Sequence, residues 1–537
     1  MKLYYLQNDS LRAALNAAGQ DYTPAYISAL NAYMGVTATP VSADELGSLT
    51  ADDILLVGAE RLDAMPACRV ILMGTSFSHD VPTPERIRHV FAHYINENGM
   101  ELPLLVPITS PVTEGEVLAW ARTTEDRELP ALVKKGDIYE FCFDLPAAIW
   151  YMADGFVPKE PSNYFFIHRT PDQRPFPDDQ PKNEPFGDYL IEEMESILRG
   201  WGVPTVYRLP PMEDGTLPDM AFHISGDDDC TSADFNIQAA LTAEENGFPY
   251  HINAMPLAGD HFIFDRTLYD ELKAHGCEVA LHLDYTCGVP YTFDSTKAES
   301  DLFKATFGVA TYTNTNHCFI QDGTTAERMR WLSDCGIAAD NGFFGDFDPN
   351  NINPFDLQVY GFGTAFPRFS LDDAAHGNKT LLCLQVPINY YEPRMYGEDA
   401  SPDIVLNYLE GCAHNGRIAQ YFIHPHYMAY SSDQRDAVLR VLALTNRHIE
   451  EKGYKVLRTT TDTLTRFWHN RAKTTAVTTK DGIAVKTEIP VFLRLPEGYD
   501  KDTVDCNGQT APVIRKTVSG TDAAFLYLTA GEYAVSL

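Results

Sequence analysis

The run Ala221-Phe222-His223-Ile224-Ser225-Gly226-Asp227-Asp228-Asp229-Cys230-Thr231-Ser232 sets three consecutive carboxylates at the end of a short apolar stretch, before a helix start. Adjacent carboxylates repel one another. Such a cluster is stable when a cation lies among them or when one member carries a proton, and either condition makes a reaction centre. A solvated Asp turn is the competing reading, and for an isolated triplet it would be preferred. Here an apolar strand leads in and histidines follow. Two vicinal carboxylates can divide labour, one binding a metal and the other taking a proton from water. His282 closes Glu278-Val279-Ala280-Leu281-His282, where a lone imidazole is usually a hydrogen-bonded structural residue. His317 lies in the polar segment Asn314-Thr315-Asn316-His317-Cys318-Phe319. His424 ends the apolar run Ala419-Gln420-Tyr421-Phe422-Ile423-His424 and is followed by Pro425-His426; an imidazole there can protonate a leaving group. It is the joint placement of these groups at the ends of strands that carries the functional reading.

The elements that must position them form a recurring unit between residues 219 and 472. Asp265 caps a helix with Leu268 and Leu272 on one face; Gly276 stops it and the strand Cys277 to Leu283 follows. Thr324 and Glu327 make a capping box for a helix that runs through Trp331 and stops at Gly336, before Ile337-Ala338-Ala339-Asp340. A third helix, Asp433 to Glu451, ends at Gly453 before Tyr454-Lys455-Val456-Leu457. Helix, glycine stop, short apolar strand and polar strand end describe an α/β barrel or a wound sheet. In barrels the chemistry sits at the C-terminal strand ends, where Asp227 to Asp229, His282, Asp340 and His424 fall.

Residues 1–160 alternate in the same way. A helix is predicted over Thr23 to Met34, and buried parallel strands over Asp53 to Gly58 and Val70 to Gly74. No GxGxxG fingerprint is present, so nucleotide binding has little support there and a scaffold or partner-contact role is expected. Residues 161–218 read as a Pro- and Asp-rich connector with one amphipathic helix, Tyr189 to Leu198. In residues 473–537 helix signals vanish. Short strands at 476–479, 483–486, 491–494, 524–527 and 533–535, with an Asn507-Gly508 hairpin turn, predict a small β-sandwich.

Composition bounds the partners. With 41 Lys+Arg against 75 Asp+Glu among 537 residues, the net charge of -34 argues against nucleic acid and anionic membrane surfaces and favours a neutral or cationic substrate. No stretch reaches membrane-spanning length. The first ten residues lack the apolar core of a secretory signal, and the ten cysteines form no CxxC pair. They read as reduced core thiols, so a cytoplasmic location is expected.

The order of these features resembles the polysaccharide deacetylases, metal-dependent carbohydrate esterases with a distorted (β/α)7 barrel, over residues 220–469. The family's T-F-D-D-G motif corresponds to Ile224-Ser225-Gly226-Asp227-Asp228-Asp229-Cys230. The resemblance implies Asp228 as base and Asp229 as metal ligand, with Asp227 a rival for either role. The family's H-[ST]-x-x-H appears as His282-Leu283-Asp284-Tyr285-Thr286, without its second histidine. A divergent branch carries R-x-H later, which Thr315-Asn316-His317 resembles without the Arg. His317 is therefore expected as third ligand beside Asp229 and His282, with Asp284 as rival. Gly361-Phe362-Gly363-Thr364-Ala365-Phe366-Pro367 resembles a Gly-Thr-Pro-Phe segment that lines the groove, and His424 matches the catalytic acid. The implied activity is removal of an acetyl group from an N-acetylated sugar around a divalent ion, zinc before nickel or cobalt. An eroded barrel that binds glycans is the alternative from another class, and a peptide or cyclic amide is the alternative substrate. Residues 1–160 are similar to flavodoxin-like or amidotransferase-like sheets, with no catalytic Cys-His pattern.

Overall fold

The computed structural model describes residues 1–7, 26–58, 62, 64–74, 90–108, 114–154, 184–229, 231–285, 288–320, 324–344, 357–358, 360, 363–377, 379–395, 401–430 and 432–537. The expected start of the first helix, the boundary at 160/161, Cys230 and Gly361-Phe362 lie outside them.

The chain is mixed α/β. In its first part the strands Ala38–Val41, Leu3–Leu6, Ile54–Val57, Arg69–Leu72 and Ile138–Phe141 lie side by side in parallel. Ile54, Leu55, Leu56 and Val57 are all buried, as an apolar run covered on both faces requires. The sheet then turns antiparallel through Glu128–Lys135, Glu116–Thr123, Ala92–Ile95 and Glu101–Leu104. This second half was not foreseen, because its strands mix charged and apolar residues with no clean period.

The central sheet positions the site. Met220–Asp227 pairs in parallel with Tyr250–Ala254 on one side and Ile418–Phe422 on the other. Glu278–Leu283, Thr313–Asn316, Ala339–Phe343 and Thr380–Pro387 extend the parallel ladder. The sheet is a half-barrel, curled until strands far apart in the ladder meet through their side chains. Asn341 Nδ2 donates to Ser225 Oγ (2.9 Å), and Gln420 Nε2 donates to the same oxygen and to Asn341 Oδ1, both at 3.1 Å. Each of these polar groups is buried, so the network satisfies atoms that water cannot reach.

The helix signals hold where capping chemistry was explicit. Asp265 accepts from the backbone of Thr267 and Leu268 at the start of Arg266–Ala274, and Thr324 accepts from Glu327 at the start of Thr325–Asp334. The glycines expected to end these helices, Gly276 and Gly336, have φ of 74° and 78°, a left-handed conformation that a Cβ disfavours. The connector helix is longer than expected, Phe186–Gly200.

The C-terminal part is all antiparallel. Thr475–Thr479, Gly482–Thr487, Gly531–Ser536, Thr503–Cys506 and Gln509–Pro512 form one sheet; Val491–Arg494, Thr521–Leu528 and Ile514–Val518 form another, joined by Thr205–Val206 from the connector. Asn507 and Gly508, at φ 56° and 78°, make the two-residue turn between Cys506 and Gln509. The parts are pinned together by Arg471, which is 1% exposed. Its guanidinium donates to Ala32 O (2.9 Å), Tyr207 O (2.9 Å) and Val206 O (2.6 Å). Among the described residues no helix is long and apolar enough to cross a membrane, and the described cysteines are free thiols.

Candidate metal and catalytic centre

Gly226 is the hinge of the site. A Cβ there would lie 1.9 Å from Ile423 O, so only glycine lets this strand approach the segment leading to His424. The Tyr250 hydroxyl donates to the same Ile423 carbonyl and fixes the approach. Asp227 ends the strand, and Asp229 follows at φ 46°. That kink returns the Asp229 carboxylate to the side Asp227 faces. Asp228 points elsewhere: it is fully buried, and its Oδ1 accepts from the Met255 backbone N–H at 2.9 Å. The structure therefore brings Asp227 and Asp229 to the histidines and leaves Asp228, the base expected from the motif, outside the group.

His282 Nε2 stands 3.3 Å from both Asp227 Oδ2 and Asp229 Oδ1. His317 Nε2 is 3.8 Å from Asp229 Oδ1, and His424 Nε2 is 3.3 Å from Asp229 Oδ2. Asp229, His282 and His317 each offer a ligand atom within 4.8 Å of the others; Asp227, Asp229 and His424 do the same. The His282 Nδ1 lies 2.9 Å from Thr315 O. A carbonyl only accepts, so Nδ1 carries a hydrogen, and Nε2 is the nitrogen that faces the two carboxylates. An imidazole nitrogen between two carboxylates is satisfied by a proton or by a metal cation. The set of two imidazoles and one carboxylate suits a divalent ion of the zinc type, so the residues present fit the metal that the motif implied.

His424 is held from behind. Glu392, fully buried and at φ 48°, accepts from the His424 backbone N–H at 3.1 Å and takes its Nδ1 on the same oxygen. Arg394 Nη2 lies 3.4 Å from the other Glu392 oxygen, and its guanidinium sits 3.8 Å over the Tyr427 ring. Asn253 Nδ2 donates to Asp227 Oδ1 at 2.9 Å. Sequence reasoning missed Glu392 and Asn253. The signal for Glu392 was a lone acid in the aromatic run Tyr390-Tyr391-Glu392-Pro393.

The electrostatics follow from this crowding. Burial pushes the Asp227 carboxyl up to about 6, although the imidazoles of His282 and His424 pull it down. Burial would also raise Asp229, but His424 and His282 outweigh it and hold that carboxyl well below its ordinary range. Burial would lower both His424 and His317. The Asp229 and Glu392 charges instead lift His424 well above the usual imidazole value, and Asp284, Cys318 and Asp229 push His317 up to about 11. Without a metal, His424 and His317 hold protons that balance the carboxylates.

The centre opens on a cleft of about 460 Å³ whose walls include Phe319, Tyr391, His426 and Tyr427. Two expectations find other places. Asp340 lies within its strand and pairs with Arg328 at 2.6 Å, away from the cluster. The described part of the 361–367 segment packs on the connector helix, with Ala365 N donating to Asp188 Oδ2 at 2.8 Å, and does not line the cleft.

No protein-family profile matches the chain, and neither does any curated protein. Solved structures similar to it are carbohydrate deacetylases and esterases. A Mycobacterium smegmatis protein named as a polysaccharide deacetylase is 12% identical, covering 50% of this chain and 96% of its own, with a TM-score of 0.33. A family 4 acetyl xylan esterase from Clostridium thermocellum, in complex with cobalt, is 8% identical over 46% and 91% of the two chains (TM-score 0.25). A CE4 family pseudoenzyme from Bacillus anthracis is 11% identical over 46% and 66% (TM-score 0.24).

Proposed function

We propose that this chain is a metal-dependent hydrolase that removes the acetyl group from an N-acetylated sugar, using a distorted (β/α)7 barrel over residues 219–472 flanked by an α/β domain (1–160), a connector (161–218) and a C-terminal β-sandwich (473–537). The observation that carries the reading is the convergence of Asp229, His282 and His317 on one point, with Asp227 and His424 beside it. Those three residues would hold a divalent cation, zinc before nickel or cobalt, which when bound polarises the acetyl carbonyl and acidifies water.

The chain's own groups supply the proton transfers. Asp227, rather than Asp228, is positioned to take a proton from the attacking water. As the carbon–nitrogen bond breaks, His424 gives its Nε2 proton to the departing amine. Glu392 favours the doubly protonated imidazole that this step requires and fixes its orientation. Acetate and the free amino sugar are the products. The aromatic walls suit the apolar faces of a pyranose ring, and the net charge of -34 suits a neutral or cationic glycan better than an anionic one.

Elemental analysis after zinc reconstitution, with acetate release from N-acetylglucosamine oligosaccharides measured in parallel, tests the reading. One equivalent of metal, lost in His282→Ala together with acetate release, is the expected result. No metal and no acetate from the unmodified protein would refute the hydrolase and leave a glycan-binding barrel.

A further inference from the structure

We infer that Asp284 is the residue that orients His317 toward the cation, and is not itself a ligand. The inference rests on the metal-centre reading above. Asp284 follows the strand Glu278–Leu283 and is fully buried. Its backbone N–H donates at 2.9 Å to Glu299 Oε2, from the helix Phe293–Phe307, which anchors the turn. Its Oδ1 lies 3.6 Å from His317 Nδ1, while His317 Nε2 looks the other way, 3.8 Å from Asp229 Oδ1. The two ring nitrogens thus face two different carboxylates on opposite edges of one imidazole. The Nε2 edge faces Asp229, and Asp284 is not among the residues that converge there.

A ligating histidine characteristically gives its second N–H to a carboxylate, which sets the tautomer and strengthens the donor, and Asp284 Oδ1, 3.6 Å from Nδ1, is the carboxylate on that edge. His282 solves the same problem differently, through Thr315 O. His317 has special need of such a partner. It opens a turn in which Cys318 and Phe319 are both left-handed, at φ 52° and 54°, a conformation uncommon outside glycine. A ring carried by such a turn gains its direction from side-chain contact rather than from a regular ladder. The carboxylate in this chain's altered H-[ST]-x-x-H segment is therefore put to use one step behind the ligand.

Zinc affinity measured by competition with a chromophoric chelator tests the assignment. The unmodified protein should take up one equivalent, and His317→Ala should lose tight uptake. Asp284→Asn should keep one equivalent at an affinity about 10–100-fold weaker, and Asp284→Glu should recover most of the loss. In the cobalt-loaded protein the ligand-field bands of Asp284→Asn should keep the pattern of the unmodified protein, whereas those of His317→Ala should not. Asp284→Ser answers the same question should Asp284→Asn fail to fold. Unchanged affinity in the folded Asp284 variant overturns the inference. So does stoichiometric uptake by His317→Ala with none by Asp284→Asn, which would make Asp284 the ligand and leave the metal centre standing. No uptake by the unmodified protein would remove the metal centre itself, and the inference with it.

Discussion

Two histidines inside the half-barrel should make this protein acid-labile well above the pH at which carboxylates titrate. His223 is 2% exposed and His251 is fully buried. His223 Nδ1 lies 3.2 Å from Thr461 Oγ1, and His251 Nε2 lies 3.3 Å from Thr313 Oγ1, which itself donates to Asp462 Oδ1 at 2.7 Å. Burial, with His251 as a repulsive neighbour, pushes His223 down to about 3; burial likewise pushes His251 down to about 4. In the unfolded chain both return to the ordinary imidazole value, about 6.5. The unfolded state therefore binds more protons between these limits. The stabilisation is complete above pH 6.5 and falls away as pH drops toward 4 and then 3. At pH 5 each ring forfeits about 1.5 pH units at about 1.36 kcal/mol per unit, roughly 2 kcal/mol, or about 4 kcal/mol for the pair. That is a large share of the roughly 5–15 kcal/mol typical of a folded domain. Urea unfolding from pH 7.5 to 5.0, in the presence of a chelator so that metal linkage does not intrude, should show a steeper loss in the parent protein than in His223→Gln/His251→Gln. The two slopes should differ by about two protons near pH 5.5. Equal slopes would mean that these rings are solvated or gain anionic partners, and the dry interior described above would be wrong.

Three further outcomes follow from the site. Asp227→Asn should cut acetate release by at least about 100-fold, the scale of a lost general base, with zinc still bound. Asp228→Asn should keep most of the activity, because an amide oxygen can still accept from Met255 N; the reverse order in steady-state assays would return the base role to Asp228. Gly226→Ala should destabilise the protein by about 3 kcal/mol or more, since a Cβ 1.9 Å from a carbonyl oxygen forces two central strands apart. The variant should lose thermal stability and zinc affinity together, and a thermal midpoint within a degree of the parent's would contradict the packing seen here.

Much of the frame was legible because the chain states it in local chemistry. Asp265 and Thr324 announce helix starts, Gly276, Gly336 and Gly453 announce helix ends, and Asn507-Gly508 announces a hairpin; each is a short-range signal that packing has no reason to override. Strands such as Thr313–Asn316, with the sequence Thr-Asn-Thr-Asn, carry no such signal. They are buried polar strands, stabilised by partners that sit far off in the chain. Periodicity cannot see a residue whose neighbour is more than a hundred positions away, as Asn341 is from Ser225.

The same distinction separates the parts of the site. His282 and His424 could be picked out because an imidazole at a strand end is visible in one segment, and His317 because Thr315-Asn316-His317 resembles a short motif. Which aspartate joins them could not, since three consecutive acids differ only in the direction of their side chains. That direction is set by two features: a backbone approach that requires Gly226, and a left-handed turn at Asp229. The strand ends at Asp227, so its alternation does not carry over to the next two acids, and Met255 N holds Asp228 away from the histidines. A motif match that counts two adjacent acids cannot see that turn, which brings Asp229 beside Asp227 and leaves Asp228 behind on Met255 N.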